Sequence, residues 1–300
     1  MRLGDDDSGN FIDRTGQGGG FNMGGGGGML GCLLPLVMSR FGIIGVLVLL
    51  LGYCALQSIG GGSIIPGGGG GGGGSPSSEQ SSTDQSTLSP ENRRVLSGVL
   101  ASTEQVWGQL FQKSGSTYAE PKMVAYSNYD QTGCGMAQSA VGPFYCPTDQ
   151  RIYIDPKFFD ELSSRFGAPG DFAQGYVIAH EVGHHVQNLT GTLDKAERAQ
   201  ASSSRVDGNA IQVGVELQAD CYAGVWAANA RTADGQPILE PGDIEEGMRA
   251  AEAIGDDTLQ QNTQGRVVPE SFTHGSSAQR MAALRKGLET GDPAACDFNR

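Results

Sequence analysis

"YVIAHEVGHHVQ", residues 176–187, contains three of the four histidines of this 300-residue chain. Apolar residues lead into the histidines and no proline interrupts the stretch, which favours a buried helix. Within it, "HEVGH" fits the pattern H-E-x-x-H. Because an α-helix turns by about 100° per residue, His180 and His184 project from one face, about one turn apart. The stretch therefore predicts a helix that presents two imidazoles to a single metal ion.

Zinc suits this pair of histidines. Zinc accepts imidazole nitrogens at about 2.0–2.1 Å, and a catalytic zinc keeps an open position for water or substrate. Glu181 lies beside the two histidines and can take a proton from a water at the metal and pass it to a leaving amine. His185 lies about 100° further round the helix and is predicted to face elsewhere. The competing interpretation is a core or surface helix whose histidines are incidental.

A third ligand is predicted in "VELQADCYAGVWA", residues 215–227. Glu216 and Asp220 are four residues apart, hence on one face of the predicted helix. Their surroundings are apolar, and buried carboxylates are costly unless they are paired or bind a metal. We therefore predict Glu216 as the third zinc ligand. Asp220 is predicted to accept the second ring N–H of a ligating histidine and so to fix its tautomer.

A membrane anchor is predicted near the N-terminus. "FGIIGVLVLLLGYCAL", residues 41–56, has no charge, and with the uncharged residues that follow it is long enough to cross the ~30 Å hydrocarbon layer. Glycine-rich tracts flank it, and such tracts read as flexible tethers. The predicted organisation is a disordered glycine-rich head (1–40), one transmembrane helix (41–60), a Gly/Ser-rich linker (61–90) and a folded domain (91–300).

Basic residues predict the orientation of this span. Arg2, Arg14 and Arg40 precede it, and the next basic residue in the chain is Arg93. The excess of positive charge on the N-terminal side places the N-terminus in the cytoplasm and the domain outside it, in a periplasmic or extracellular location.

Cysteine usage is consistent with export. The domain holds Cys134, Cys146, Cys221 and Cys296, and an even number in an oxidising compartment suggests two disulfides. Pairing of Cys134 with Cys146 across a hairpin would leave Cys221 with Cys296, although four cysteines allow three pairings. A protease that faces the cytoplasm is the other possibility, and it would keep these four thiols free.

The formal net charge of −13 argues against a nucleic-acid partner, which would require a basic patch. The glycine runs also lack the lysine and the strand-to-helix context of a phosphate-binding loop.

The order of strand-like and helix-like segments along the chain predicts an α+β domain. A helix follows "SP" at residues 89–90, and three short strands cover "PKMVAYS", "GPFYCP" and "RIYIDP". Helices are then predicted over "DPKFFDELSSRFG", from about 171 to 191, from about 193 to 229, over "PGDIEEGMRAAEAIG", and from about 276 to 291. A small sheet followed by helices defines the class.

H-E-x-x-H followed by E-x-x-A-D resembles the gluzincins, the thermolysin-type branch of zinc peptidases. The chain is more similar to the neutral zinc metallopeptidase family of bacteria, through "YCPTDQRIYIDPKFF", "AHEVGHHVQ", "VELQADCYAGVWA", "GDIEEGMRAAEAIGDD" and "SFTHGSSAQR". The resemblance implies a zincin-like domain with His180, His184 and Glu216 as ligands and Glu181 as the base. It also implies a glycine-rich head and a single membrane span.

The resemblance gives the fourth histidine a role. Gluzincins commonly use a distant His or Tyr to hydrogen-bond the oxyanion, and "FTHG" places His274 in that position. Arg280 is a second candidate for the oxyanion, or it clamps Asp220. The strand "RIYID", with Tyr153, is expected to lie along the cleft and pair with an extended peptide.

Two functions follow from these residues. The first is a membrane-tethered, zinc-dependent endopeptidase that cleaves extracytoplasmic peptides or proteins. The alternative is a non-catalytic, zinc-stabilised interaction domain of the cell envelope. The presence of Glu181 favours the enzyme, because a purely structural zinc site has no use for a base and usually has four protein ligands.

Overall fold

The computed structural model of the protein describes residues 1–4, 7–17 and 86–298. In these residues the helices, numbered along the chain, are α1 Pro90–Lys113, α2 Lys157–Ser164, α3 Asp171–Leu189, α4 Thr192–Ala201, α5 Arg205–Asn229, α6 Asp243–Ala253, α7 Asp256–Gln264 and α8 Ser277–Thr290. The strands are β1 Phe11–Asp13, β2 Lys122–Ala125, β3 Tyr129–Thr132, β4 Gly135–Gln138, β5 Phe144–Cys146 and β6 Arg151–Ile154. A small sheet packed among helices confirms the predicted α+β class.

The main sheet has the strand order β1-β2-β6-β5. Strand β2 is parallel to both β1 and β6, whereas β5 runs antiparallel to β6. Strands β3 and β4 form a separate antiparallel hairpin. The expectation that "RIYID" pairs with an extended peptide was therefore wrong: β6 lies between β2 and β5, and β5 occupies the edge.

Local signals in the sequence mark several of the helix ends. Ser89 caps α1 through the backbone N–H of Asn92, and Pro90 begins the helix. Ser276 forms a capping box with Gln279 at the start of α8, which ends at Gly291 in the left-handed conformation. Ser204 caps α5 by accepting a hydrogen bond from the backbone N–H of Asp207. This cap divides the predicted helical stretch 193–229 into two helices, α4 and α5.

The helices α3, α5 and α8 form the centre of the domain, and glycines bring α5 and α8 into backbone contact. A Cβ atom on Gly224 would lie 2.2 Å from the carbonyl oxygen of Leu284, and one on Gly287 would lie 1.9 Å from that of Cys221. The ring of Phe172 on α3 stacks on that of Trp226 on α5, with 6.0 Å between centroids. This packing fixes α3 and α5, the two helices that carry the predicted ligands.

Both predicted disulfides are present. Cys134, at the tip of the β3–β4 hairpin, is bonded to Cys146 at the end of β5. Cys221 on α5 is bonded to Cys296 near the end of the described chain. The sequence suggested that the first bond crosses between the two strands of one hairpin. In the structure it joins the β3–β4 hairpin to the edge strand β5 instead.

The N-terminal residues depart from the prediction. Residues 1–40 were expected to form a disordered head, but Phe11–Asp13 is a strand of the main sheet. The described residues on both sides of the gap belong to one compact unit. The predicted head is therefore wrong for its described part, residues 1–4 and 7–17. The predicted transmembrane helix (41–60) and most of the predicted linker lie outside the described residues. No helix in the described ranges is long and apolar enough to cross a membrane.

Candidate metal centre

Three ligand atoms from α3 and α5 converge at one point. The Nε2 atoms of His180 and His184 are 3.1 Å apart. The Oε2 atom of Glu216 lies 3.1 Å from the first of these nitrogens and 3.6 Å from the second. The structure thus brings together the three residues that the sequence singled out, and they form a group able to hold a metal ion.

The spacing of these atoms fits a tetrahedral zinc site. Bonds of about 2.0–2.1 Å place the ligand atoms of a tetrahedral centre about 3.3–3.4 Å apart. The three distances between the ligand atoms bracket this value. Two imidazoles and one carboxylate leave a fourth position for water or substrate, as catalytic zinc sites require.

Asp220 fixes the ring of His180. Its Oδ1 atom lies 2.8 Å from Nδ1 of the imidazole, and an ionised carboxylate can only accept a hydrogen bond. Nδ1 therefore carries the proton, and Nε2 directs its lone pair toward Glu216 and His184. This is the contact predicted for Asp220 from the sequence.

Gln187 does the same for His184, although the sequence reading did not single it out. Its amide nitrogen donates to the backbone oxygen of Val215 at 2.7 Å and to Oε1 of Gln218 at 3.0 Å. Its Oε1 atom, 2.9 Å from Nδ1 of His184, is therefore the acceptor of a ring N–H. With both Nδ1 atoms protonated, two imidazole lone pairs point at the same place, which is unfavourable unless a cation or proton lies between them.

Asp220 lies at the centre of a buried network that also contains Arg280 and Tyr176. Arg280 donates from Nη2 to Oδ1 of Asp220 at 2.8 Å and from Nε to Oδ2 at 2.9 Å, a bidentate pair. The hydroxyl of Tyr176 donates to Oδ1 at 2.6 Å and accepts from Nη2 of Arg280 at 3.1 Å. Of the two roles considered for Arg280, its contacts are those of a clamp on Asp220.

The charges of this network shift several pKa values. Burial raises the pKa of Asp220, but the charges of Arg280 and His180 outweigh it and bring that pKa down to about 2. Burial lowers the pKa of His180, but the charge and hydrogen bond of Asp220 raise it to about 10. The pKa of Glu216 is held well below its usual value: burial opposes this shift, and the histidines cause it. The site is thus built to keep positive charge between two anionic carboxylates.

Gly183 lets α3 and α5 approach closely beside the site. A Cβ atom there would lie 3.0 Å from both Cα and the carbonyl oxygen of Ala219. Real side chains rarely tolerate such a contact with backbone, so a larger residue would push the helices apart. The glycine inside the H-E-x-x-H motif therefore sets the distance between the histidines on α3 and Glu216 on α5.

The three ligands and Glu181 line a cleft of about 660 Å³. The edge strand β5 contributes Phe144 and Tyr145 to its wall, and α4 contributes Glu197. Glu181 is only 6% exposed but faces this cleft, next to His180 in sequence. A group that handles protons near the metal would need this position.

His274 lines the same cleft from the loop before α8. Its ring is about half exposed, 52%, and Nδ1 lies 3.3 Å from Oδ1 of Asp256. The other carboxylate oxygen of Asp256 accepts from the backbone N–H groups of Thr273, His274 and Gly275. Asp256 therefore holds the loop in place and leaves Nε2 of the imidazole available to the cleft.

His185, the third histidine of the motif stretch, faces away from the ligands, as predicted. Its Nε2 donates to the backbone oxygen of Ala119 at 2.6 Å, which leaves Nδ1 to accept from the hydroxyl of Tyr145 at 3.0 Å. The ring is fully buried, and burial lowers its pKa. The residue thus ties α3 to the edge strand.

These features define a class of protein: one with a candidate metal centre built from an H-E-x-x-H helix and a glutamate on a second helix, in the lining of an open cleft. A comparison with protein families is more specific. The family described as "Putative neutral zinc metallopeptidase" matches residues 2–298. The chain belongs to this family.

Curated relatives share most of the chain. "Uncharacterized protein YpfJ" of Escherichia coli (strain K12) is 52% identical over 221 residues, which cover 72% of this chain and 76% of that protein. "Uncharacterized protein Mb2605" of Mycobacterium bovis is 48% identical over 217 residues, 69% of this chain and 71% of that protein. No solved structure matches the chain significantly.

Proposed function

We propose that the protein is a zinc-dependent endopeptidase in which Glu181 is the general base. The observation that carries the proposal is the convergence of two imidazole nitrogens and a carboxylate oxygen on one point of an open cleft. Zinc held by His180, His184 and Glu216 would supply Lewis-acid polarisation of the scissile carbonyl and lower the pKa of a water molecule. The family description supports zinc and peptidase activity at the level of class.

The proton steps belong to Glu181. Its carboxylate accepts a proton from the attacking water molecule and then donates it to the nitrogen of the departing amine, so that the carboxylate is regenerated. His274 in its doubly protonated form donates from Nδ1 to Asp256, which orients the ring, and from Nε2 to the oxyanion that develops on the carbonyl oxygen. Arg280 acts indirectly, because its contacts hold Asp220 against His180.

The edge strand β5 supports an extended peptide as the substrate. β5 ends the sheet and lines the cleft through Phe144 and Tyr145. An extended peptide can pair with the free backbone groups of such an edge. Apolar side chains along the cleft, including Phe158 and Phe166, favour substrates with apolar residues near the cleaved bond.

The compartment and the tether are part of this proposal. Two disulfides support an oxidising compartment, outside the cytoplasm, for the domain. The apolar composition of residues 41–60 supports attachment to the membrane. The proposed substrates are therefore peptides or proteins of the cell envelope or the extracellular space.

The experiment compares the full chain with its Glu181→Gln variant. Zinc content is measured on both, together with cleavage of an unstructured protein. We expect about one zinc per chain in both proteins and a loss of cleavage of about 10²–10⁴-fold in the variant, the usual contribution of a general base. Glu197→Gln is the matched control, since it removes an exposed carboxylate from the same cleft and should retain activity.

Each other outcome has a defined meaning. Bound zinc without cleavage by the parent chain would contradict the peptidase and favour the interaction domain. Equal cleavage by the parent and by Glu181→Gln would remove the assigned base. A chain that binds no zinc at all would reduce the convergent ligands to a hydrogen-bonded cluster.

A further inference from the structure

The first residues of the chain belong to the fold of the metal-binding domain. Strand β1 pairs in parallel with β2, with Phe11 opposite Met123 and Asp13 opposite Ala125. Without β1, the edge of β2 would be exposed, because β1 is the last strand on that side of the sheet. β1 therefore extends the main sheet by one strand and is more than a loop that lies on the domain surface.

Side chains fasten the segment on both sides of β1. The backbone N–H of Ser8 donates to Oγ of Ser97 at 2.9 Å, and its hydroxyl donates to Glu104 at 2.7 Å. On the other side, Arg14 forms an ion pair with Asp130 at 3.0 Å. These contacts attach the segment to α1 and to the β3–β4 hairpin, two separate parts of the domain.

Met1 is bound at the start of the helix that carries the H-E-x-x-H motif. Its ammonium donates to both carboxylate oxygens of Asp171 at 2.9 Å and to Asp243 at 3.3 Å. Its side chain is buried and packs where Gly175 has no Cβ, close to the indole of Trp226. Asp171, Asp243 and Glu246 form a group of carboxylates that could hold a metal ion, and the ammonium is the partner of the first two.

The chain leaves the domain and returns to it at one place. The backbone N–H of Thr87 donates to Oγ1 of Thr15 at 3.1 Å, and its hydroxyl donates to the backbone oxygen of Thr15 at the same distance. Ser86 also donates to Asp13. The residues before and after the gap at 18–85 are therefore hydrogen-bonded to each other.

We propose that residues 1–4 and 7–17 belong to a strap that folds with the metal-binding domain, so that the N-terminus and the metal centre lie on the same side of the membrane. A single span at 41–60 with its N-terminus in the cytoplasm would separate β1 from β2 by a bilayer. Two basic residues used to predict that orientation, Arg2 and Arg14, are paired on the domain with Glu240 and Asp130.

The first test is labelling of the full chain in cells whose outer envelope is permeable to a membrane-impermeant maleimide. Cys32 and Cys54 are replaced by serine, and the four domain cysteines are in disulfides. One reporter is Gly9→Cys, an exposed turn position with open space around it, and the other is Val267→Cys on the domain surface.

We expect both reporters to react to the same extent before the inner membrane is permeabilised, and neither to gain on permeabilisation. If both reporters react only after the inner membrane is permeabilised, they still lie in one compartment, and the proposal still holds. Labelling of Val267→Cys in intact cells with Gly9→Cys protected until permeabilisation would overturn the proposal.

The second test asks whether the segment is docked. Arg14→Glu places two like charges together, and we expect the melting temperature of the full chain to fall by roughly 2–4 °C. Asp130→Lys should have a similar effect, and the double variant should recover most of the loss. Single variants without effect, or a double variant in which the losses simply add, would show that Arg14 does not meet Asp130.

Discussion

At the scale of single residues, the function of the site depends on which nitrogen of each histidine carries the proton. Asp220 settles this for His180, and Gln187 settles it for His184. The two acceptors differ in charge, and Gln187 is itself oriented by two acceptors of its amide nitrogen, Val215 and Gln218. Replacing it would leave His184 free to adopt the other tautomer, whose N–H points toward Nε2 of His180 and Oε2 of Glu216.

We therefore expect Gln187→Met to lower zinc affinity by about 10–100-fold, the usual effect of removing a residue that orients a ligand. The measurement is competition with a chelator of known affinity. Gln174→Met is the matched control on the same helix, because its buried Oε1 has no hydrogen-bond partner among the described residues. Equal affinity of the two variants would mean that Gln187 does not select the tautomer of His184.

At the scale of secondary-structure elements, glycines decide how closely the helices pack. Gly224 on α5 faces the backbone of α8, where a Cβ atom would lie 2.2 Å from an oxygen and 2.7 Å from a nitrogen. Backbone atoms cannot move aside as the end of a flexible side chain can. The α5–α8 contact is therefore expected to be the least tolerant of added volume.

Gly224→Ala should lower the free energy of unfolding by about 3 kcal/mol, the upper end for overpacked cores. Gly208→Ala, on the same helix with nothing within 4 Å of its Cβ position, should instead raise it by up to about 1 kcal/mol through helix propensity. Urea unfolding of the full chain with both variants checks the contrast. Effects of the same sign and size would show that α5 and α8 are not in backbone contact.

Helices were predicted from sequence more successfully than strand positions, because helix ends depend on residues that are close together in the chain. Ser89 with Pro90 and Ser276 with Gly291 mark helix ends by interactions within one turn. The position of a strand within a sheet depends on partners far away in the chain. Strand β6 was expected to pair with a peptide because its own residues carry no sign that β2 and β5 flank it. Strand β1 has three residues and lies beside a glycine-rich tract, so its pattern gave no signal.

At the scale of the whole molecule, the same distinction applies to the site. His180 and His184 are one turn apart, and their proximity follows from helix geometry. Glu216 was predicted because a carboxylate in an apolar helix needs a partner. Gln187 lies three residues after His184 and Tyr176 lies four residues before His180, so both are on the ligand face of α3. This spacing was the only signal in the sequence that they contact the site. Their partners on α5 could be identified only from the tertiary structure.

The docked N-terminus also makes the stability of the molecule depend on pH. Burial lowers the pKa of the Met1 ammonium, but the hydrogen bond and charge of Asp171, with the charge of Asp243, raise it above the ordinary value of 8.0. A raised folded-state pKa means that the ion pairs stabilise the fold fully below about pH 8 and that this stability is lost as pH rises through the folded value.

The expected result is a stability difference between the chain and a form acetylated on its N-terminal amine, which carries no charge there. The free amine should give the higher melting temperature at pH 7, because only a charged ammonium pairs with Asp171 and Asp243. The difference in melting temperature should shrink progressively above pH 8, because the free ammonium loses its proton, whereas the acetylated amine has no proton to lose. Because tyrosines and lysines titrate in both forms, their contribution cancels in the comparison. A difference that stays constant up to pH 11, or that is absent at pH 7, would show that the ammonium does not contribute to docking of the N-terminal segment.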